Sequence, residues 1–277
     1  MKLLKNLNLL RPCSKKPFLE NAFILIKGDE FKGIDTEEPE GEFEEVLDFG
    51  GKYALPGLIN GHHHLYSSLA LGMPPPSKIP RNFTEILQQV WWKLDLALDR
   101  DSTKASFESG LLDSLKAGTT TVIDHHCSPS FIEGSLSLLA ETGKRLGIAT
   151  GLAFEVTDRN GPKLFEKSLE ENLDAAVKHA EDPELAALLG LHASFTLSNE
   201  SLKKVSEVLC RREGWGIHTH LSEDRADEED SNRRGYGSVV ERLEHYGLIN
   251  SSAMLIHGVH CLESDAERIL KHGAHLV

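Results

Sequence analysis

The rhythm of apolar and polar positions changes once along the chain, near residue 53. Before it, short apolar pieces at Leu3–Leu10 and Ala22–Ile26 are separated by polar turns. Lys27, Gly28, Asp29 and Glu30 predict a hairpin turn before Phe31. The acidic stretch from Asp35 to Glu45 reads as a solvated loop. Val46–Phe49 reads as a further strand, closed by a Gly50–Gly51 turn. Residues 1–52 therefore predict a small β domain.

From Tyr53 onward, β-type runs alternate with helical ones. Strands are expected at 53–60, 119–124, 148–154, 185–191, 215–220 and 253–256, with a seventh beginning at 274. Helices are expected from Phe83, from Asp101 or Ser102, and over 135–145, 165–180, 199–210, 238–246 and 264–272. The segment with Pro74, Pro75 and Pro76 cannot be helical. Alternating strands and helices imply parallel crossovers and an α/β fold. Histidines fall where the strands end: His62 and His64, His125, His192, His218 and His220, and His257. Chemistry gathered at the C-terminal strand ends is the habit of a TIM-like (β/α)8 barrel. A doubly wound sheet gathers its site at one crossover and usually carries a glycine-rich loop after its first strand, and none is evident. Residues 53–277 are thus expected to form such a barrel, incomplete here, with strands 1 to 7 at most.

The most telling stretch is Leu55–Ala70, LPGLINGHHHLYSSLA. Side chains alternate along a strand, so His62 and His64 share a face and His63 points away. HTHLSE puts His218 and His220 on one strand face, with Glu223 just beyond. Imidazoles with a carboxylate suit a divalent ion such as zinc, with a position left for water. The ion would lower the pKa of that water, and a nearby carboxylate could move the proton. A surface or packed role is as good a reading for any single histidine; the set at the strand ends argues for a metal site. His125 and His126 fit either a supporting or a packing role. Trp91 and Trp92 fit a substrate lid, a dimer contact or core packing.

Composition narrows the rest. The formal net charge of −13 over 277 residues, with a pI near 5.5, argues against non-specific nucleic-acid binding and against docking on an anionic membrane. Aromatic residues make up 6%, which disfavours base-stacking platforms. Cys13, Cys127, Cys210 and Cys261 are scattered without a CxxC pair and read as reduced thiols of a cytoplasmic protein. No run is apolar enough to span a bilayer.

LPGLINGHHHLYSSLA, HASFTLSNE, HTHLSE and LIHGVH, in that order, resemble the motifs of the amidohydrolase superfamily, in its aminohydrolase and chlorohydrolase branch. WWKLDLALD and TTTVIDHH also resemble stretches of that branch. The resemblance implies one divalent metal ion, zinc or iron, held by His62, His64 and His220. It implies Glu223 as the proton shuttle rather than a ligand, and His257 beside the attacking water. It implies His192 as a substrate contact and His218 as a support. The reaction implied is hydrolysis of a C–N bond, deaminating an aromatic N-heterocycle, in a protein that is a homodimer at full length. The family also carries an aspartate at the end of its eighth strand, and this sequence stops within the seventh. A fragment of a longer protein, a disrupted frame or a shortened relative is therefore expected. The alternative reading is an inactive, poorly soluble remnant that binds metal without turnover.

Overall fold

The computed structural model describes all 277 residues. They divide into two units, Met1–Leu58 and Ile59–Val277. The first is one four-stranded sheet made of β1 (Lys2–Leu10), β2 (Phe18–Lys27), β3 (Glu30–Asp35) and β4 (Glu45–Ala54). Their order is β3-β2-β1-β4. β1 runs antiparallel to β2 and parallel to β4. Leu7, Leu9, Ala22 and Ile24 alternate onto one face and form its core. The Gly50–Gly51 pair does not end the strand as expected. Both glycines take positive φ (57° and 81°) inside β4, and the register with β1 jumps between Lys5 and Leu7. The pair is a bulge, which only residues free of a Cβ accommodate without strain. β4 therefore absorbs Tyr53 and Ala54, which the hydrophobic pattern had placed in the next strand.

β5 starts at Leu58 and ends at His63, so the histidine run sits at the strand end. The connection that follows holds a short 3-10 turn (Leu65–Ala70), then α1 (Phe83–Ile86) and α2 (Trp92–Ala97). Between α1 and α2 the helix widens by one residue, with Trp92 N–H reaching the Leu87 carbonyl. Such a widened turn reorients the side chains of a helix locally. α3 (Arg100–Lys116) follows, its start fixed by the Asp99 side chain accepting from Ser102 N–H. The alternation then continues: β6 (Thr119–Asp124), α4 (Ser135–Leu146), β7 (Ala149–Leu152), α5 (Pro162–Lys178), and β8 (Leu185–Ala187) with β9 (Leu189–Ala193). After these come α6 (Asn199–Leu209), β10 (Ile217–Leu221), α7 (Arg225–Arg233), α8 (Val239–His245), β11 (Met254–His257), α9 (Glu263–His272) and β12 (His275–Leu276).

The strands run in chain order as β5-β6-β7-β8 and β9-β10-β11-β12. The two runs join where Leu188 N–H donates to the Leu152 carbonyl and Val156 bridges Leu191 in parallel. The pairs β6–β7, β9–β10 and β10–β11 are parallel. This is the TIM-like arrangement expected, seen as an open arc: no ladder joins β12 to β5. β9 and β10 are buried at every position, as strands covered on both faces must be. Two apolar clusters sit between strands and helices. One gathers Leu111, Leu136, Leu139, Leu152 and Phe154; the other gathers Leu189, Leu202, Val205, Ile217, Val240 and Leu255. Each fully buried leucine contributes about 1.5–3 kcal/mol relative to exposure. Gly216 shows how tightly the arc is wound: a Cβ there would lie 2.1 Å from the Ser252 carbonyl oxygen. No helix is long and apolar enough to cross a membrane.

Candidate metal centre

Three imidazoles converge at the C-terminal mouth of the arc. His62 Nε2 lies 3.2 Å from His64 Nε2, which lies 3.0 Å from His220 Nε2. The protonation of two rings is fixed by their other nitrogen. His64 Nδ1–H donates to the His125 carbonyl (2.8 Å) and His220 Nδ1–H to the His192 carbonyl (2.6 Å). A carbonyl can only accept, so both Nδ1 atoms carry the proton and both Nε2 atoms are bare in the neutral rings. Two lone pairs thus face each other at 3.0 Å, which is repulsive unless a cation lies between them. His62 Nδ1 faces His218 Nε2 at 3.0 Å. A proton on that Nδ1 makes His62 Nε2 the third lone pair.

The surroundings keep these rings neutral. Burial, with His64 next, depresses the His62 pKa to about 2. Burial also lowers His64 and His220, in the latter with help from His125. A metal ligand must be deprotonated, so this depression favours a cation over protons. The donor set, its geometry and its orienting carbonyls therefore fit a divalent ion. The two carbonyl partners escaped sequence reasoning, because they act through the backbone of His125 and His192.

The other expected residues surround this trio. Glu223 follows β10, and burial together with Asp224 raises its pKa to about 6. His257 Nε2 lies 3.8 Å from its carboxylate. The His257 ring stacks on His220, with 5.6 Å between centroids and planes 11° apart. His257 sits at φ 80°, a left-handed conformation that is costly for a side chain with a Cβ. His192 donates Nδ1–H to Thr196 Oγ1 (2.9 Å), whose own hydroxyl is given to the Ala193 carbonyl. That leaves His192 Nε2 as an acceptor. His63 points away from the trio, as alternation demands; its backbone carbonyl accepts from His125 N–H. His125 and His126 are fully buried.

A cavity of about 240 Å³ opens over the trio, lined also by Glu223, His192, Tyr66, Trp91, Trp92 and Phe195. Sequence reasoning missed its charged end. Asp95 and Glu155 line it at 2% and 3% exposure, with Arg159 held against both. Arg159 also lies over the Trp92 ring, 4.7 Å from its centroid. Asp95, Cys127 and Glu155 offer ligand atoms close to one another, but the guanidinium already supplies the positive charge there. Burial pushes the Glu155 carboxyl up, yet Arg159, His192 and His64 outweigh it and hold it low. Burial and Glu155 push Asp95 up instead. Glu155 and Arg159 lie 60 and 64 positions beyond Asp95, so no single stretch of sequence displays the cluster.

An open parallel α/β arc with a histidine centre at its strand ends is the architecture of the metallohydrolase barrels. The chain belongs to the amidohydrolase family, which it matches over residues 53–277. It is 30% identical over 271 residues to a 5-methylthioadenosine/S-adenosylhomocysteine deaminase of Thermoanaerobacter pseudethanolicus, covering 97% of this chain and 60% of that protein. It thus spans about three fifths of the length of such relatives. Among solved structures, it superposes on a zinc-bound adenosine deaminase from Xanthomonas campestris with a TM-score of 0.85 at 16% identity, covering 99% of this chain and 61% of that one. It superposes on an atrazine chlorohydrolase from Arthrobacter aurescens, complexed with zinc, with a TM-score of 0.82 at 21% identity, covering 100% and 65%. At those identities the likeness is one of fold.

Proposed function

We propose that His62, His64 and His220 hold one divalent ion, zinc foremost and iron second, in a hydrolase that deaminates an aromatic N-heterocycle. The observation that carries this reading is the facing of bare Nε2 atoms at 3.0 Å, with their tautomers set by backbone carbonyls. When bound, the ion would supply Lewis acidity and a nucleophile from water near neutral pH. The chain's own residues would do the rest. Glu223, with a pKa near 6, can release and take up a proton at neutral pH, and would pass one to a ring nitrogen. His257, a neutral imidazole 3.8 Å from it, would steady the attacking oxygen. His192 Nε2 would accept a hydrogen bond from the substrate. Trp92, Phe195 and Tyr66 give a flat ring an apolar bed.

The names of the relatives, deaminases of adenosine-type compounds and a triazine chlorohydrolase, agree with a nitrogen-rich ring as the substrate class. In this reading the chemistry belongs to residues 53–277 and none to the β domain of residues 1–52. The protein is cytoplasmic, acts on small molecules without nucleic acid, as its charge of −13 suggests, and assembles as a homodimer. The test is metal content followed by a screen of purines, pyrimidines and triazines for ammonia or chloride release. About one zinc per chain, lost in H64A, is expected. E223Q should keep the zinc and lose about 10²–10⁴-fold in rate. A preparation that takes up zinc equally with and without His64 refutes the metal assignment. Zinc without turnover on any ring would favour the inactive, metal-binding reading.

A further inference from the structure

No hydrogen bond within the chain holds the Glu223 carboxylate; the His257 imidazole lies 3.8 Å from it. A proton carrier must nevertheless be aimed to within a fraction of an ångström. The aim comes from the preceding residue. Ser222 lies at φ 47°, left-handed for a residue with a Cβ, and is fully buried. Every polar group it has is taken. Its N–H donates to Asp227 Oδ2 (3.0 Å), its carbonyl accepts from His260 N–H (2.9 Å), and its hydroxyl donates to Glu228 Oε1 (2.5 Å).

Asp227 does more than hold Ser222. Its other oxygen, Oδ1, accepts from Phe195 N–H at 3.0 Å. Phe195 follows His192 by three residues, and its ring lies 5.9 Å from the His192 imidazole in the cavity wall. One side chain, 2% exposed, on the first turn of α7, thus ties the loop after β9 to the loop after β10. The two loops carry the substrate-facing ring and the proton carrier. We propose that Asp227 is a positioning residue that sets Glu223 and the Phe195 wall in register with each other across the cavity. The inference rests on the proposed role of Glu223. Both oxygens of Asp227 face N–H donors, so an amide in its place must turn one donor against another. D227N therefore breaks one half of the clamp at nearly constant volume.

The test follows the Glu223 side-chain carboxyl carbon by NMR in the zinc-loaded protein, assigned by its loss in E223Q. In D227N the Glu223 midpoint should move from its value in the unaltered protein toward that of an ordinary solvated carboxylate, as the loosened side chain reaches solvent. Zinc content should stay unchanged. A folded, zinc-loaded D227N with an unshifted Glu223 midpoint overturns the proposal, since a merely structural aspartate would lower stability alone. Amide exchange in the unaltered protein decides the matter even where D227N fails to fold. The Ser222 and Phe195 N–H groups should be protected and should open together; free exchange of either one overturns the clamp. If E223Q leaves turnover intact, the role of Glu223 fails, while the NMR and exchange results still report on the clamp itself.

Discussion

Replacing Arg159 by methionine tests the charged end of the cavity. Arg159 is the guanidinium held against two carboxylates, Glu155 and Asp95, that are 3% and 2% exposed. Methionine keeps much of the apolar stem and its contact with Trp92 while removing the charge. Glu155, now held low by that charge, becomes a buried anion beside a second carboxyl. Breaking a buried pair by removing one partner costs about 3–5 kcal/mol. For a unit of this size, each kcal/mol moves Tm by about 2–4 °C, so a fall of roughly 6–20 °C is expected at pH 8. The pH dependence separates this cause from lost packing. With Arg159 present, the folded pKa of Glu155 lies low, so the pair's stability is present at neutral pH and is lost as pH falls through that low value. Without Arg159, burial lifts the folded pKa above the unfolded one. The variant then binds a proton more tightly when folded and regains stability as pH falls from 8 toward 5. Calorimetric melts of both proteins across that range should show the gap narrowing. A loss below about 1 kcal/mol, or a gap that stays constant with pH, would refute the electrostatic account.

Three further expectations rest on separate features. Because the apo imidazoles are already neutral, with His62 depressed to about 2, zinc uptake at pH 6.5 should release fewer than about 0.5 protons. Three ordinary histidines would release about 1.5; titration calorimetry in two buffers of different ionisation enthalpy distinguishes them. Asp124 is fully buried, accepts from Leu65 N–H, and is pushed up to about 8 by burial. An acid with a raised folded pKa loses stability as pH climbs from its unfolded value to that level, so D124N should gain Tm over the parent more at pH 9 than at pH 6. An equal difference at both values would count against it. G216A should lose about 2 kcal/mol or more in urea denaturation, since its Cβ would meet backbone rather than a movable side chain; a neutral result would show that the loop at Ser252 gives way freely.

Element type was largely legible from periodicity, and the reasons are local. Thr119–Asp124 is a strand in the pattern and in the structure, because a β-branched run bounded by Gly118 leaves little choice. Ser135–Leu146 is a helix because Leu136, Leu139, Ala140 and Gly143 repeat on one face, the face that is buried. What failed was also local, where glycine chemistry competes with a turn. Gly50–Gly51 reads the same in a bulge as in a hairpin, and only pairing with β1 tells them apart. The acidic run beyond Glu223, up to Asp230, reads in the sequence as a solvated helix start, because the two residues that α7 buries, Asp227 and Ser231, are themselves polar.

The sequence by itself determined the alternation of strands and helices, the placing of histidines at strand ends and the common face of His62 and His64. Those properties follow from a two-residue strand period and from residue type. Only the tertiary structure decided which atoms meet. His64 and His220 are 156 positions apart, and their tautomers are set by carbonyls that any residue at 125 or 192 would carry. Asp95, Glu155 and Arg159 form one charged cluster from three separate segments. The left-handed turns at Ser222 and His257 exist because the surrounding hydrogen bonds outweigh their strain. Backbone donors and acceptors are the same at every position of a chain, so their use is settled only when folding brings a partner to each.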